Sequence, residues 1–263
     1  MKLFSHQQEA LKQTEGFQNI AFYHGMGLGK TYTGSEAMKR YDCRVNLIIC
    51  QKSKVKDWTK HLTDNYNTVA VFDLTDKEQF SCFTNWITAP QDAPASTVCC
   101  VGVINYELAW RRKKELKDLK NFTLMLDESS LIQNPKAKQT KFIMSLKPSH
   151  VILLSGTPVG GKYENLWTQC RLLGWKISQD IYDETYVNWD KIEVQGIPHR
   201  IVNKEDPYKN VDRLKQKLRS HGAVFLKTEE ALDLPSQRFQ TIRVDSSADY
   251  RKFVRYTPIW FRF

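Results

Sequence analysis

Short continuous apolar runs alternate along this chain with segments whose apolar residues recur at helical spacing. Strand-length runs lie at 19–23, 45–50, 69–72, 98–104, 122–126 and 151–154. Between them, Leu3, Phe4, Gln7, Ala10 and Leu11 mark a short helix over 3–15 that starts near Ser5. Residues 31–40 form a second helix; Val55, Trp58 and Leu62 mark a third, and Phe80, Phe83 and Ile87 a fourth. Apolar strands separated by amphipathic helices predict an α/β fold, a parallel sheet with helices on both faces. Prolines and small residues make 89–96 a loop. Beyond residue 165 the rhythm changes. Leu166, Trp167, Cys170 and Leu173 read as helix, 191–202 as a hairpin about Gln195-Gly196, 211–219 as a basic helix and 239–244 as a strand. The aromatic end, 256–263, has neither period: it reads as a tail seeking a partner surface or as a terminus packed on its own domain.

Polar clusters follow the carboxyl ends of these strands, where open parallel sheets bind ligands. After the first run comes His24-Gly25-Met26-Gly27-Leu28-Gly29-Lys30-Thr31, then a helix. Strand, glycine-rich turn, Gly-Lys-Thr and helix make a phosphate-binding loop. Its glycines let backbone N–H groups face an anion, and the helix start adds its positive end. Lys30 would reach the β- and γ-phosphates and the Thr31 hydroxyl would hold Mg²⁺. The general pattern has glycine where this chain has His24. The run 122–126 ends in Asp127-Glu128, a pair suited to binding Mg²⁺ and to orienting an attacking water. The run 151–154 ends in Ser155-Gly156-Thr157-Pro158, whose hydroxyls would either sense the γ-phosphate or form a simple turn. Gln7, upstream of the loop, reads as a base contact or a plain surface residue.

Composition adjusts this picture at three points. The 263 residues carry 39 Lys plus Arg against 29 Asp plus Glu, a net charge of +10 that suits a polyanionic partner. The run Arg111-Arg112-Lys113-Lys114, with Lys117 and Lys120, is either a phosphate patch or a solvated helix face. The six cysteines lack Cys-x-x-Cys spacing and read as reduced thiols of a cytoplasmic protein, without a zinc site or disulfide frame. No apolar run approaches the ~20 residues that span a bilayer, and the polar start is no signal peptide. No membrane is expected among its partners.

Together these residues resemble a family. His6-Gln7, Met26 to Thr31, Ile49-Cys50-Gln51-Lys52-Ser53 with Trp58, Asn105-Tyr106-Glu107, Leu126-Asp127-Glu128, Gln133-Asn134-Pro135 and Leu154 to Pro158 with Leu166-Trp167 fall in the order of superfamily-two helicases. The resemblance is to Snf-type DNA-dependent ATPases, the chromatin remodellers and their bacterial and phage relatives, and it covers roughly residues 3–250. That group also lacks the first loop glycine. Leu226-Lys227-Thr228-Glu229 through Leu234-Pro235 looks like its bridge between two motor lobes.

The resemblance implies a RecA-like lobe over 1–174, an extension and bridge over 175–235, and the start of a second lobe over 236–263. It implies an ATP hydrolase that uses Mg²⁺ and moves on DNA, duplex in preference to single strand. Gln7 would read adenine, and the loop from Met26 through Gly27, Leu28 and Gly29 would wrap the phosphates held by Lys30 and Thr31. Asp127 would bind Mg²⁺ and Glu128 would activate water. Ser155 and Thr157 would couple nucleotide state to DNA, and Lys52, Ser53, Asn105 and Tyr106 would lie along a DNA track. A second lobe, or a replication or recombination protein, would complete turnover. The setting would be the cytoplasm of a bacterium or a phage-infected host. The chain departs from the family at Ser129-Ser130, where a small residue and His are usual, at Gln133 in place of Lys, and at Gly160-Gly161. It also lacks the arginine-bearing motifs of a second lobe. Two other readings compete: a non-motor DNA- or partner-binding protein on the same lobe, and an unrelated phosphate-loop kinase or GTPase.

Overall fold

A computed structural model describes residues 3–88, 99–194 and 197–232. The loop at 89–96, the first residue of the run at 98–104, the Gln195-Gly196 turn, the end of the bridge, the strand expected at 239–244 and the aromatic end lie outside them.

Helix α1 (Ser5–Gln13) precedes strand β1 (Asn19–His24), and α2 (Lys30–Tyr41) follows the glycine loop. Then come β2 (Val45–Cys50), α3 (Val55–Asn65), β3 (Val69–Asp73), α4 (Lys77–Thr88) and β4 (Cys99–Asn105). Two short helices, α5 (Tyr106–Arg111) and α6 (Lys113–Leu116), lead to β5 (Phe122–Asp127), α7 (Lys138–Ser145) and β6 (His150–Ser155). After α8 (Trp167–Leu172) and α9 (Gln179–Tyr186), the antiparallel pair β7 (Trp189–Val194) and β8 (Ile197–Val202) forms the expected hairpin. Helix α10 (Val211–Arg219), strand β9 (Ala223–Leu226) and the single turn α11 (Thr228–Ala231) close the described chain.

Seven strands form one parallel sheet in the order β3-β4-β2-β5-β6-β1-β9. Successive residues of each strand point to opposite faces, and here both faces are covered. Ala21, Leu47, Ile49, Leu124, Leu126 and Leu153 enter a core against α4 to α10, while Ile20, Phe22, Ile48, Met125, Ile152 and Leu154 meet α1, α2 and α3. This is why the inner strands read as unbroken apolar runs. The segment read as an extension and bridge contributes one strand to the sheet. Its strand β9 pairs with β1, Ala21 opposite Ala223 and His24 opposite Leu226.

Candidate nucleotide site

The carboxyl ends of β1, β6 and β5 lie side by side, and each supplies one part of the site. In the loop after β1, Gly27 and Gly29 take φ of +79° and +68°, the left-handed region that favours glycine. Gly29 caps α2, so the helix opens toward the loop with its unpaired N–H groups. Lys30 Nζ donates to the carbonyls of His24 and Gly25 at 3.0 and 3.2 Å and so lies folded along the loop. Burial lowers its pKa, and the nearby charges of Glu128 and Asp127 pull the other way. Among the described residues the Thr31 hydroxyl makes no hydrogen bond, while Leu28 is buried and Met26 is exposed.

Gln7 is buried, and it braces the loop: its amide nitrogen lies 3.3 Å from the carbonyls of both Leu28 and Gly29. Its amide oxygen accepts the Phe4 N–H at 3.0 Å. His24 is fully enclosed, with neither ring nitrogen partnered. Burial first, then Lys30 and His6, lower its pKa to about 4. On the other side the loop meets the end of β9. Gly25 N–H donates to Leu226 O at 2.8 Å, and Thr228 Oγ1 donates to Met26 O at 3.1 Å. A Cβ at Gly25 would collide with the Thr228 hydroxyl and sit 2.8 Å from the Thr228 backbone nitrogen, so close backbone approach requires glycine there.

The acidic pair ends β5. Asp127 Oδ2 accepts the indole N–H of Trp58 at 2.8 Å, and Glu128 sits at φ +54°, an uncommon conformation for a side-chain-bearing residue. Ser155, at the end of the intervening β6, donates to Glu128 Oε2 at 3.2 Å and accepts the Thr157 N–H at 3.2 Å. Lys30, Glu128 and Ser155 therefore stand at three adjacent strand ends. Thr157 itself faces solvent.

Sequence reasoning missed the residue that ties these turns from beneath. Gln169 of α8, fully buried, accepts from Tyr23 at 3.0 Å and from Ser129 at 2.8 Å, and donates to Pro158 O at 2.9 Å. Its partners stand just before the loop, just after the acidic pair and within the Ser-Gly-Thr-Pro turn. Nothing local in sequence marks such a residue.

A separate cleft of about 910 Å³ opens past the ends of β2, β3 and β4, where Lys52, Lys56 and Arg111 face the carboxylates of Asp73 and Glu107, with Ser53 and Asn105 between them. Three of the four residues expected along a track are here. Tyr106 is the correction: it is buried, and its hydroxyl donates to Asp127 O at 2.9 Å instead of facing the cleft. It is the first residue of α5, and the turn carries its ring under the sheet end while Glu107 stays outside. The basic run is divided in the same way. Arg112 donates to Leu74 O and stacks on Phe80, and Arg111 pairs with Glu107, whereas Lys113, Lys114, Lys117 and Lys120 are exposed.

Residues 6–257 match the SNF2-related domain. The chain belongs to the SNF2-related family. Its fold is the RecA-like fold of SNF2 lobes. The Sulfolobus solfataricus SWI2/SNF2 ATPase core in complex with dsDNA aligns with a TM-score of 0.62 at 22% identity, over 86% of this chain and 45% of that one. The ATPase core domain of the same organism aligns with a TM-score of 0.52 over 71% of this chain and 38% of that one. The Caenorhabditis elegans homolog of SWI/SNF-related matrix-associated actin-dependent regulator of chromatin subfamily A-like protein 1 is 29% identical over 189 residues, 69% of this chain and 26% of that protein. Human helicase-like transcription factor is 25% identical over 130 residues, 48% of this chain and 12% of its own length. The SNF2 chain described here therefore spans about a quarter or less of these curated relatives.

Proposed function

We propose that this chain is the ATP-binding lobe of a DNA-dependent ATPase that moves on DNA, and that full turnover needs a second lobe or a partner. The observation that carries the reading is the convergence of Lys30, Glu128 and Ser155 at three adjacent strand ends, beside a cleft with Lys52, Lys56 and Arg111 on its walls. The dsDNA held by the Sulfolobus core supports duplex as the nucleic-acid partner.

The residues fit ATP with Mg²⁺. Two glycines of positive φ shape an anion cradle, a half-buried lysine lies along it, and the Thr31 hydroxyl is free among the described residues. Bound, the nucleotide with its metal would supply the phosphoanhydride bond whose cleavage drives the cycle. Lys30 would leave the His24 and Gly25 carbonyls for the phosphates. Thr31 and Asp127 would hold the metal, with Trp58 occupying one face of the Asp127 carboxylate. Glu128, aimed by Ser155, would orient the attacking water, and displacing that hydrogen bond would signal γ-phosphate to Thr157. Gln7 would hold the loop in register, and to meet a base its amide would leave the Leu28 or Gly29 carbonyl. All six cysteines are free thiols, which supports a reducing, cytoplasmic setting as part of the proposal.

The test is ATP binding and turnover by this chain, with and without duplex and single-stranded DNA, beside Lys30→Ala. The variant should lose ATP binding. Wild-type turnover should be slow, because a transition-state arginine from elsewhere contributes roughly 10³–10⁵ in rate in related phosphoryl transfers. Wild-type protein that fails to bind ATP would sink the reading. Binding without turnover, even with DNA and a supplied second lobe, would favour a non-motor role.

A further inference from the structure

Two aromatic donors reach the acidic pair from two segments that line the cleft. On one wall, the 3₁₀ turn Lys52–Lys54 runs without a break into α3. Lys52, Ser53 and Lys56 of that continuous rod line the cleft, and Trp58, on the next turn, puts its indole N–H on Asp127 Oδ2 at 2.8 Å. On the other wall, Asn105 and Glu107 line the cleft, while Tyr106 between them turns inward. Its hydroxyl lies 2.9 Å from Asp127 O and 3.4 Å from Glu128 O.

That second contact bears on backbone strain. Glu128 holds φ +54° without being glycine, a state of about 1–3 kcal/mol that persists only where its surroundings enforce it. A hydroxyl set between two consecutive carbonyls is such an enforcement, and the Ser155 hydroxyl on Glu128 Oε2 is the other. Trp58 and Tyr106 are both buried, so a shift of either wall carries its aromatic ring and donor with it.

We infer that Trp58 and Tyr106 are positioning residues that couple occupancy of the cleft to the placement of Asp127 and Glu128. The inference rests on the proposed function, with DNA in the cleft and Mg²⁺–nucleotide at the acidic pair. DNA phosphates drawn to Lys52 and Lys56, and to Arg111 in competition with Glu107, move the two walls. The walls re-aim one carboxylate through Trp58 and the left-handed turn through Tyr106. By linkage the effect runs both ways, so nucleotide changes DNA affinity by the same factor.

The experiment measures that factor. The affinity of the whole chain for a fluorescent ATP analogue with Mg²⁺ is titrated with and without a saturating short duplex. The affinity for the same duplex, fluorescein-labelled, is titrated with and without the analogue. Wild type should show a change of about fivefold or more in both directions, the lower range of measured couplings. Trp58→Phe and Tyr106→Phe, which keep a ring and delete the donor, should each reduce it below about twofold. Leu62→Val, a buried change on the same helix α3, controls for loss of stability and should keep the factor. Retention of the full factor in both donor variants, or its loss in Leu62→Val as well, overturns the inference. A wild type that binds both ligands without coupling also overturns it and leaves the proposed function standing. A wild type that binds no nucleotide removes the proposed function and the inference with it.

Discussion

His24 occupies the place where the general phosphate loop has glycine, and its ring is sealed beside Phe22 with both nitrogens unpartnered. A buried imidazole with a pKa near 4, against an ordinary 6.5, is neutral in the folded chain. Between those two values the unfolded chain binds a proton that the folded chain excludes. Its contribution to stability is complete above pH 6.5 and declines as pH falls toward 4. His24→Phe keeps the ring and removes the titration. Urea unfolding at pH 7 and pH 5 should show wild type losing about 2 kcal/mol more than the variant over that interval. An equal loss in both proteins would place the acid sensitivity elsewhere. Lys30, whose Nζ holds the His24 carbonyl, shows the complementary arrangement: a cation kept in a poor dielectric by carbonyls that an anion would replace.

At the scale of elements, the turns after β1, β5 and β6 act as one body because α8 stands beneath them. Gln169→Leu would leave the Tyr23 and Ser129 hydroxyls and the Pro158 carbonyl without their partner in a dry interior. The expected loss is on the order of 2–5 kcal/mol in urea unfolding, and a loss below about 1 kcal/mol would mean that water replaces the amide. Such a residue was not legible in advance, because its partners stand 146 and 40 residues away. What was legible follows from local rules. The glycine loop, the acidic pair and the Ser-Gly-Thr turn announce themselves by chemistry at the ends of apolar runs. The inner strands announce themselves by having both faces buried. Strand β9 was not read, because Ala223–Leu226 has four residues of which only Ala223 is fully buried, and an edge strand lacks the long apolar run of its neighbours. Helix α9 went unread for a related reason: its buried residues are tyrosines, Tyr182 and Tyr186, which carry little hydropathy contrast. Tyr106 was set on the DNA track by the family resemblance, which carries a motif but not the direction of each side chain, and the first turn of a helix sends neighbours to different sides.

The whole molecule joins a seven-stranded sheet, a positive net charge and a fold that SNF2 proteins share. Among the described residues the glycine loop and the cleft lie along one rim of the sheet, with the ends of β5 and β6 between them. The order of strands at that rim has a further consequence for how the chain is made. The loop strand β1 emerges early in synthesis, yet its neighbours β6 and β9 come from 150–155 and 223–226. Until residue 226 has left the ribosome, one flank of β1 has no partner, and an open flank of Ile20, Ala21, Phe22 and Tyr23 is a template for other chains. The nascent lobe therefore stays dependent on late contacts of high sequence separation, which fold slowly and aggregate readily. A chain stopped just before Ala223 should be recovered mainly as insoluble protein, in contrast to one stopped after Leu232, as the soluble fraction at matched expression would report. Equal solubility would mean that β1 is protected before its last neighbour arrives.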